Sequence, residues 1–476
     1  MKSYEELAGS RGRTVFYRPE RYRARELFKG MRPSLALERV DHTLDDISLS
    51  GLGAFLPAGS NEIRAVGDAV SVELGVLGIP LFAGAGQVAR VDLTPSGTKI
   101  GVRLLDRFFD IPALVAKSEE ARVSQALDHG TAAEERAPAE YRRLCADVIH
   151  LLRSYAAALE RMLSTRPKAA DAAEILASCE ERILPRWRSL WVSANEMVEP
   201  LMADETALRA AKQFTELVLT PEFVPGAIWR RSYTKPLGYP GDFEIMNMVY
   251  DWRREGDRAF DQLLHRLGLD VAECIATRMV MMRDAIAHTV SRASADAPAR
   301  IASLGCGSAR EVLDYLKVRA LPAPANFTLI DQDQRALSTV YEQSYAEIMR
   351  LHGQANVSCL HASFSDVLRT GELFGKLPPQ DLIYSVGLID YLSDRRAKAL
   401  VSSLYGQLAS GGTLIVANMF RTGQSNLWPM EFICDWSVNY RGAAEMRSLA
   451  SELPATSIET GLDPTGRVCL LTAVKT

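Results

Sequence analysis

Between Ala299 and Arg310 the chain reads ARIASLGCGSAR, and the next apolar run, NFTLIDQD, closes on two acids, Asp331 and Asp333. A short apolar strand that stops at Gly-x-Gly lets backbone N–H groups and a helix N-terminus approach a ligand, and a carboxylate ending the next strand can take a ribose diol. The pairing describes a nucleotide-type pocket. Asp333 suits a second role equally well, because acids are favoured in a first helical turn. The run from Gly305 and Cys306 through Gly307 to Ser308, Ala309 and Arg310 lacks the third glycine that a dinucleotide pyrophosphate requires, so a ligand without pyrophosphate is expected. Cys306 reads as a small packing residue of this loop, since no His or Lys beside it could activate a thiolate.

Three further constellations carry chemistry. Near the start, Arg21 and Arg25 are spaced R-x-x-x-R, and Asp46, Ser48 and Gly51 follow as D-x-S-x-x-G. Guanidinium groups grip phosphate and stack on bases, and a carboxylate accepts from the N–H edge of guanine, so the set suits a guanine nucleotide. In KPLGYPGD, Lys235 to Asp242, two prolines and two glycines impose an ordered non-helical loop with Tyr233, Tyr239 and Tyr250 around it, a loop of the kind that often carries function. Asp390 and Tyr391 come at the carboxyl end of the fourth strand-like run, and MEFICDWSVNY supplies Glu431, Asp435, Trp436 and Tyr440, with Trp428 and Phe432 as candidates to line an apolar pocket.

The elements that must position these residues follow from periodicity. Apolar runs at ARIASL, NFTLID, VSCLHASF, DLIYSVGLIDYL (Asp381 to Leu392) and LASGGTLIVANM alternate with helical patterns, which predicts a parallel sheet built from strand–helix–strand units. SLALERV, DISLSGLGAFL, AVSVELGVLGIPLF, GQVARVDL and TKIGVRLLD are short alternating runs between turn residues, which predicts a small antiparallel barrel over residues 1–117. Residues 118–290 read as a helical region: Ser118 to Arg136 as a linker or exposed helix, then apolar residues at three and four spacing from Tyr141 to Leu163 and again in VAECIATRMVMMRDAIAHTV. The cluster of Met279, Met281 and Met282 reads as core filling and His288 as a surface or satisfied helical histidine. The sheet domain occupies 291–476.

With 476 residues, 47% of them hydrophobic and 24% charged, the chain has material for two to four soluble domains. A net charge of −4 gives no basic field, which argues against nucleic acid as the main partner. No apolar run is long enough to span a bilayer, and MKSYEELAGSRGR lacks the apolar core of a signal peptide. Seven cysteines without CxxC or Cys/His spacing argue against zinc and a disulfide framework, and for a reducing cytoplasm.

The order LGCG, LID, DLIY and SGGTLIV resembles the class I S-adenosylmethionine-dependent methyltransferases, with their Rossmann-like fold. The resemblance implies that Gly305, Cys306 and Gly307 approach the methionine part, Asp331 takes the ribose hydroxyls, Ser363 or Phe364 lies near the adenine, and Gly387 borders the cofactor. R-x-x-x-R, D-x-S-x-x-G and a barrel ending in GVRLL resemble the PilZ domain, a receptor for cyclic di-GMP, with Arg21 and Arg25 on phosphate and guanine and Asp46, Ser48 and Gly51 on the other guanine face. KPLGYPGD, LGCGSAREV, LIDQD, GLIDYL and MEFICDWSVNYR together resemble the bacterial family annotated for 3-hydroxypalmitic acid methyl ester synthesis. That family's loop more usually reads KPRGYAGD, so Leu237 and Pro240 stand where a basic and a small residue are usual, and a PilZ module is not usual in front.

Together these imply a cyclic di-GMP-regulated O-methyltransferase acting on a carboxylate of a small or fatty-acid-like acceptor, with Tyr239, Asp242, Tyr391 and Glu431 at the reacting groups. A carboxylate nucleophile needs no base, whereas a hydroxyl or amine would draw on Glu431, Asp435, Asp242 or His361. Two alternatives stay open at this point: methylation of another metabolite or of a protein side chain, and a receptor that binds cofactor without turnover and engages a partner protein.

Overall fold

The computed structural model describes residues 5–8, 14–17, 21–29, 31–57, 65–94, 97–128, 137–165, 169–318, 320–362 and 377–476. They fall into two compact units, Met1–Ala132 and Ala133–Thr476.

In the first unit, β1 (Glu5–Ala8) and β2 (Thr14–Tyr17) pair with each other as a separate hairpin. β4 (Ser34–Leu37), β5 (Val40–Ser48), β6 (Gly51–Pro57), β7 (Ala69–Val76), β8 (Ile79–Thr94) and β9 (Gly97–Leu104) close an antiparallel barrel in the order β5-β4-β7-β8-β9-β6, with β6 returning to β5. Alternation explains it: in β7, Val70, Val72, Leu74 and Val76 are buried while the residues between them face outward. β3 (Arg21–Arg23) adds to the outer edge of β5, and α1 (Ala24–Leu27) follows it. The helix read from the sequence as a linker begins earlier, as α2 (Ile111–Asp128), and is no loose tether at its start, because Leu114 and Ala121 belong to the barrel's core. Residues 129–136 lie outside the described residues.

In the second unit, five parallel strands and an antiparallel pair form one sheet in the order β12-β11-β10-β13-β14-β16-β15. These are β10 (Ala299–Leu304), β11 (Ala325–Asp331), β12 (Ala355–His361), β13 (Gln380–Ser385), β14 (Leu408–Met419), β15 (Ala455–Leu462) and β16 (Val468–Lys475). The five expected strands are present, but β13 ends at Ser385 and Ile389–Tyr391, expected within that strand, forms a 3-10 turn. β15 and β16 were not anticipated, and β15 explains why: ATSIETGL is a polar edge strand with no clean alternation. Strands buried on both faces read as continuous apolar runs, and successive residues of one strand feed different cores. Ile301 and Phe327 join a core on one side, Ala302 and Ile330 a core on the other with α12 (Asp394–Gly406) and α13 (Ala443–Leu449).

The first of those cores also contains the helices that precede the sheet: α3 (Ala139–Thr165), α4 (Ala169–Val198), α5 (Glu205–Val218), α6 (Thr220–Phe223), α7 (Ala227–Thr234), α8 (Phe243–Asp251) and α9 (Ala259–Ser291). Its aromatic centre is Trp187, fully buried, with the rings of Phe223 at 5.4 Å, Trp428 at 5.8 Å, Trp229 at 6.1 Å and Trp191 at 6.2 Å. Trp428 and Phe432, expected as pocket lining, are core residues instead: the Trp428 indole donates to the Tyr141 hydroxyl at 3.0 Å, and Phe432 packs on the Tyr141 ring at 5.9 Å. Because Trp428 lies within the sheet region, between β14 and β15, while Trp187 precedes the sheet in sequence, Trp187→Ala should unfold helices and sheet together. The expected loss is about 3–5 kcal/mol, the usual cost of deleting a buried large aromatic, read as one cooperative urea transition moved to lower concentration; two separated transitions would contradict a shared core.

Candidate active site

At the carboxyl ends of the sheet, β10 pairs with β11 on one side and β13 on the other. Strand order reverses there, which is where ligands bind in open parallel sheets. A cavity of 210 Å³ opens at this point, bounded by Gly305, Cys306 and Gly307 after β10, by Asp331 and Gln332 after β11, and by Val386, Gly387 and Leu388 after β13.

Gly305 and Gly307 have φ of +68° and +52°. A Cβ at either would meet nothing nearer than 3.7 Å, so the glycines are needed for backbone conformation rather than for room. The loop is tied to the neighbouring strand: the Gly307 N–H donates to one Asp331 carboxylate oxygen at 2.8 Å, and the Asp333 N–H donates to the other at 2.9 Å. Burial pushes the Asp331 carboxyl above its ordinary range, opposed by these backbone N–H groups. Of the two roles considered for Asp333, the helix-start carboxylate is the one seen. It accepts from the Arg335 N–H at 2.9 Å as the cap of α11 (Gln334–Arg350) and from the Tyr239 hydroxyl at 2.8 Å. Burial raises its pKa, but the Tyr239 and Arg335 hydrogen bonds outweigh that and leave it below the usual carboxylate value. Ser363 and Phe364 lie outside the described residues.

The loop from Lys235 to Asp242 crosses the cavity. Three left-handed residues, Lys235, Gly238 and Gly241, shape it, and Tyr239, Pro240 and Gly241 face inward. A Cβ on Gly241 would lie 2.5 Å from the Trp436 ring and 3.2 Å from the Tyr391 hydroxyl, which itself accepts from the Trp436 indole at 2.9 Å. Tyr239, Gly241, Tyr391 and Trp436, distant in sequence, thus form one aromatic wall.

Two expected catalytic acids are not in the lining. The Asp242 carboxylate is fully buried, bridged by the Arg231 guanidinium at 2.9 and 3.0 Å, and caps α8 through the Ile245 N–H at 3.0 Å. Glu431 is paired with Lys212 at 2.6 Å within a π-helical turn, Trp428–Ile433, from which Pro429 and Met430 face the cavity instead. Asp435 contacts Lys235 at 3.6 Å, and His361 is exposed with its Nε2 2.8 Å from the Gln332 carbonyl. Met279 and Met282 are buried core residues as expected and also line the cavity, and Tyr440 does not.

Two charged residues, Arg278 and Glu311, were missed as site groups, and a third, Asp390, was singled out from the sequence without a role. Arg278 enters from α9 with its Nη2 3.2 Å from the position a Gly387 Cβ would take, so Gly387 makes room for the guanidinium. No acceptor for it occurs among the described residues. A signal was available: Val271, Ile275, Arg278 and Met282 share one helical face, so a cation interrupts an apolar stripe. Glu311, in the first turn of α10 (Arg310–Leu316), accepts from the Tyr384 hydroxyl at 2.7 Å, and burial raises its pKa to about 6. Asp390 accepts from the Met419 N–H at 2.6 Å and is likewise raised by burial to about 6. Arg278, Glu311, Asp331 and Asp390 are the charged residues among the described lining. No group of three His, Cys, Asp or Glu residues suited to a metal occurs among the described residues, and no described helix is long and apolar enough to cross a membrane.

In the first unit, Arg21 lies opposite Ser48 on the β3–β5 ladder and forms an ion pair with Asp46. Arg25 is exposed on α1. Ser48 and Gly51 are buried turn residues: the Ser48 hydroxyl donates to the Gly51 carbonyl at 3.1 Å, and a Cβ at Gly51 would meet the Val102 carbonyl at 2.4 Å.

No family model and no curated protein matches this chain. Among solved structures, a protein from Bordetella parapertussis is similar at 16% identity and TM-score 0.40, covering 52% of this chain and 86% of that one. Magnesium protoporphyrin IX methyltransferase of Synechocystis PCC 6803, with bound SAH, is similar at 15% identity and TM-score 0.35, covering 52% and 98%. An O-methyltransferase family protein of Burkholderia thailandensis is similar at 15% identity and TM-score 0.29, covering 42% and 60%. At such scores these likenesses carry no weight for function, which is argued from the site.

The aromatic wall is directly testable. Gly241→Ala adds a methyl against the Trp436 ring at an unfavourable φ of +71°, whereas Tyr239→Phe removes one hydrogen bond to a carboxylate, about 1.5–3 kcal/mol. Both should speed hydrogen exchange over residues 235–242, with Gly241→Ala the larger effect; unchanged exchange in both would show that neither contact holds the loop.

Proposed function

We propose that residues 133–476 form an S-adenosylmethionine-dependent methyltransferase. The observation that carries this reading is the Gly307 N–H to Asp331 carboxylate bond at the switch point, opening onto a cavity that also holds a guanidinium with no acceptor among the described residues. Two backbone N–H groups use one lone-pair site on each Asp331 oxygen and leave others for ribose hydroxyls. Arg278 beside Glu311 offers a cation and an anion together, which is what the carboxylate and ammonium of a methionine moiety require. The cofactor supplies an activated methyl group. The protein's contribution is to hold the acceptor in line and exclude water with Tyr239, Gly241, Tyr391 and Trp436. The carboxylate acceptor implied by the resemblance would need a cation of its own, and Arg278 is already committed.

Calorimetry with S-adenosylmethionine tests the reading. Asp331→Ala and Arg278→Ala should each weaken binding by about 1.5–3 kcal/mol, or roughly 10- to 150-fold, the range for hydrogen bonds to charged groups. Wild-type protein that binds no S-adenosylmethionine would refute the assignment.

We further propose that the barrel binds cyclic di-GMP and thereby alters methyl transfer. Arg21 held against Asp46, with Arg25 exposed nearby in sequence, supports this: a phosphate can draw Arg21 away and leave the carboxylate for guanine. Saturating cyclic di-GMP should change cofactor affinity or turnover by roughly 5- to 150-fold, the usual size of an allosteric coupling, and Arg21→Ala/Arg25→Ala should abolish the change. Dinucleotide binding without any such change would leave the barrel without a regulatory role.

A further inference from the structure

The acceptor half of the cavity has a chemistry that differs from the carboxylate expectation. With Arg278 and Glu311 facing the amino-acid end of the cofactor and Asp331 its ribose, the charged lining residue that remains is Asp390. Asp390 is 4% exposed, in the 3-10 turn Ile389–Tyr391 that follows β13 after Val386, Gly387 and Leu388. Its Oδ1 accepts from the Met419 N–H, its backbone carbonyl accepts from the Asn439 N–H at 2.8 Å, and its Oδ2 accepts from no described group. The carboxylate is therefore fixed by its backbone and one oxygen, while the second oxygen of this cavity-lining residue has no donor among the described residues. Around it stand Tyr391 and Trp436, and beyond them the apolar surface of Met246, Ile275, Met279 and Met430.

We infer that Asp390 is the general base of the transfer, and that the acceptor is an apolar molecule bearing a protic head group, a hydroxyl or an amine. This rests on the methyltransferase reading above. In the step, the acceptor oxygen or nitrogen forms a bond to the methyl carbon of S-adenosylmethionine as the carbon–sulfur bond breaks. The sulfur keeps the electron pair, giving S-adenosylhomocysteine, and the acceptor's proton passes to Asp390 Oδ2 and then to water. An acceptor carboxylate would instead bring a second negative charge beside Asp390, and Arg278, the one cation of the described lining, is taken by the cofactor carboxylate on this reading.

Asp390 is faced by Arg278 on α9 and by Arg441, both of which favour its charged form, and by the neutral phenols of Tyr391 and Tyr440. Burial outweighs the two guanidinium groups and leaves the carboxyl titrating near 6. Since the base must be ionised, turnover should rise with pH through that region and then level.

The test uses three probes with one tail: dodecan-1-ol, dodecylamine and dodecanoate. On full-length protein saturated with S-adenosylhomocysteine, calorimetry should show dodecan-1-ol or dodecylamine binding at least tenfold more tightly than dodecanoate. Asp390→Asn, which retains an oxygen for the Met419 N–H, should erase that preference. With labelled S-adenosylmethionine the alcohol or amine should take up the methyl group, and Asp390→Asn should lose about 100- to 10,000-fold in rate, the range for a general base, while cofactor affinity stays within about threefold. Preferential binding and methylation of dodecanoate, or an Asp390→Asn variant with unchanged transfer to the alcohol and amine, would overturn the inference. Failure of wild type to bind S-adenosylmethionine would instead sink the reading beneath it.

Discussion

The hydrogen bond from the Gly307 N–H to the Asp331 carboxylate joins the two strands on which the site is built. A buried carboxylate is costly unless hydrogen-bonded, and here backbone N–H groups from both sides satisfy it. The same contacts hold the glycine loop in its left-handed turn and align the start of α11 through Asp333. A short route of hydrogen bonds then runs from Asp331 to Asp333 to Tyr239, linking the carboxyl edge of the sheet to the crossing loop.

That loop depends on helices being packed against the sheet. Arg231, which holds Asp242, is on α7, and Lys235 reaches the Cys434 carbonyl at 3.2 Å beyond β14. The shared aromatic core around Trp187 makes such long-range contacts possible, because it fixes the helices relative to the segment that carries Trp428 and Trp436. The polar groups within this core are mostly satisfied across it. Asn195 donates to the Ser425 carbonyl at 2.7 Å and accepts from the Trp428 N–H at 2.9 Å. One helix of the region, α9, carries both apolar core residues and Arg278, so helical packing and site charge are set by the same element.

Charge divides the acids of the second unit by function. Asp242 and Glu431 each have a cation, Arg231 or Lys212, and serve to hold elements together. Glu311 and Asp390 have no close ion pair in the described structure, line the cavity and are raised by burial toward neutrality. Groups with such shifted titration are the ones available to exchange protons with a ligand.

What the sequence alone determined was local. Alternation specified the barrel strands, continuous apolar runs specified β10, β11, β13 and β14, and a strand ending in Gly-x-Gly followed by a strand ending in Asp specified the switch-point pocket, because each of these is dictated by backbone geometry within a few residues. KPLGYPGD was legible as an ordered loop for the same reason. Only the tertiary structure decided which acids faced the cavity. Asp242 and Asp390 are equally acidic in sequence, yet one lies against Arg231 and the other opens onto Tyr391 and Met430, and Trp428 and Trp436, eight positions apart, fall in the core and on the cavity wall. The side-chain environment of each is made by residues dozens to hundreds of positions away, and no local pattern encodes which of them will arrive as a partner.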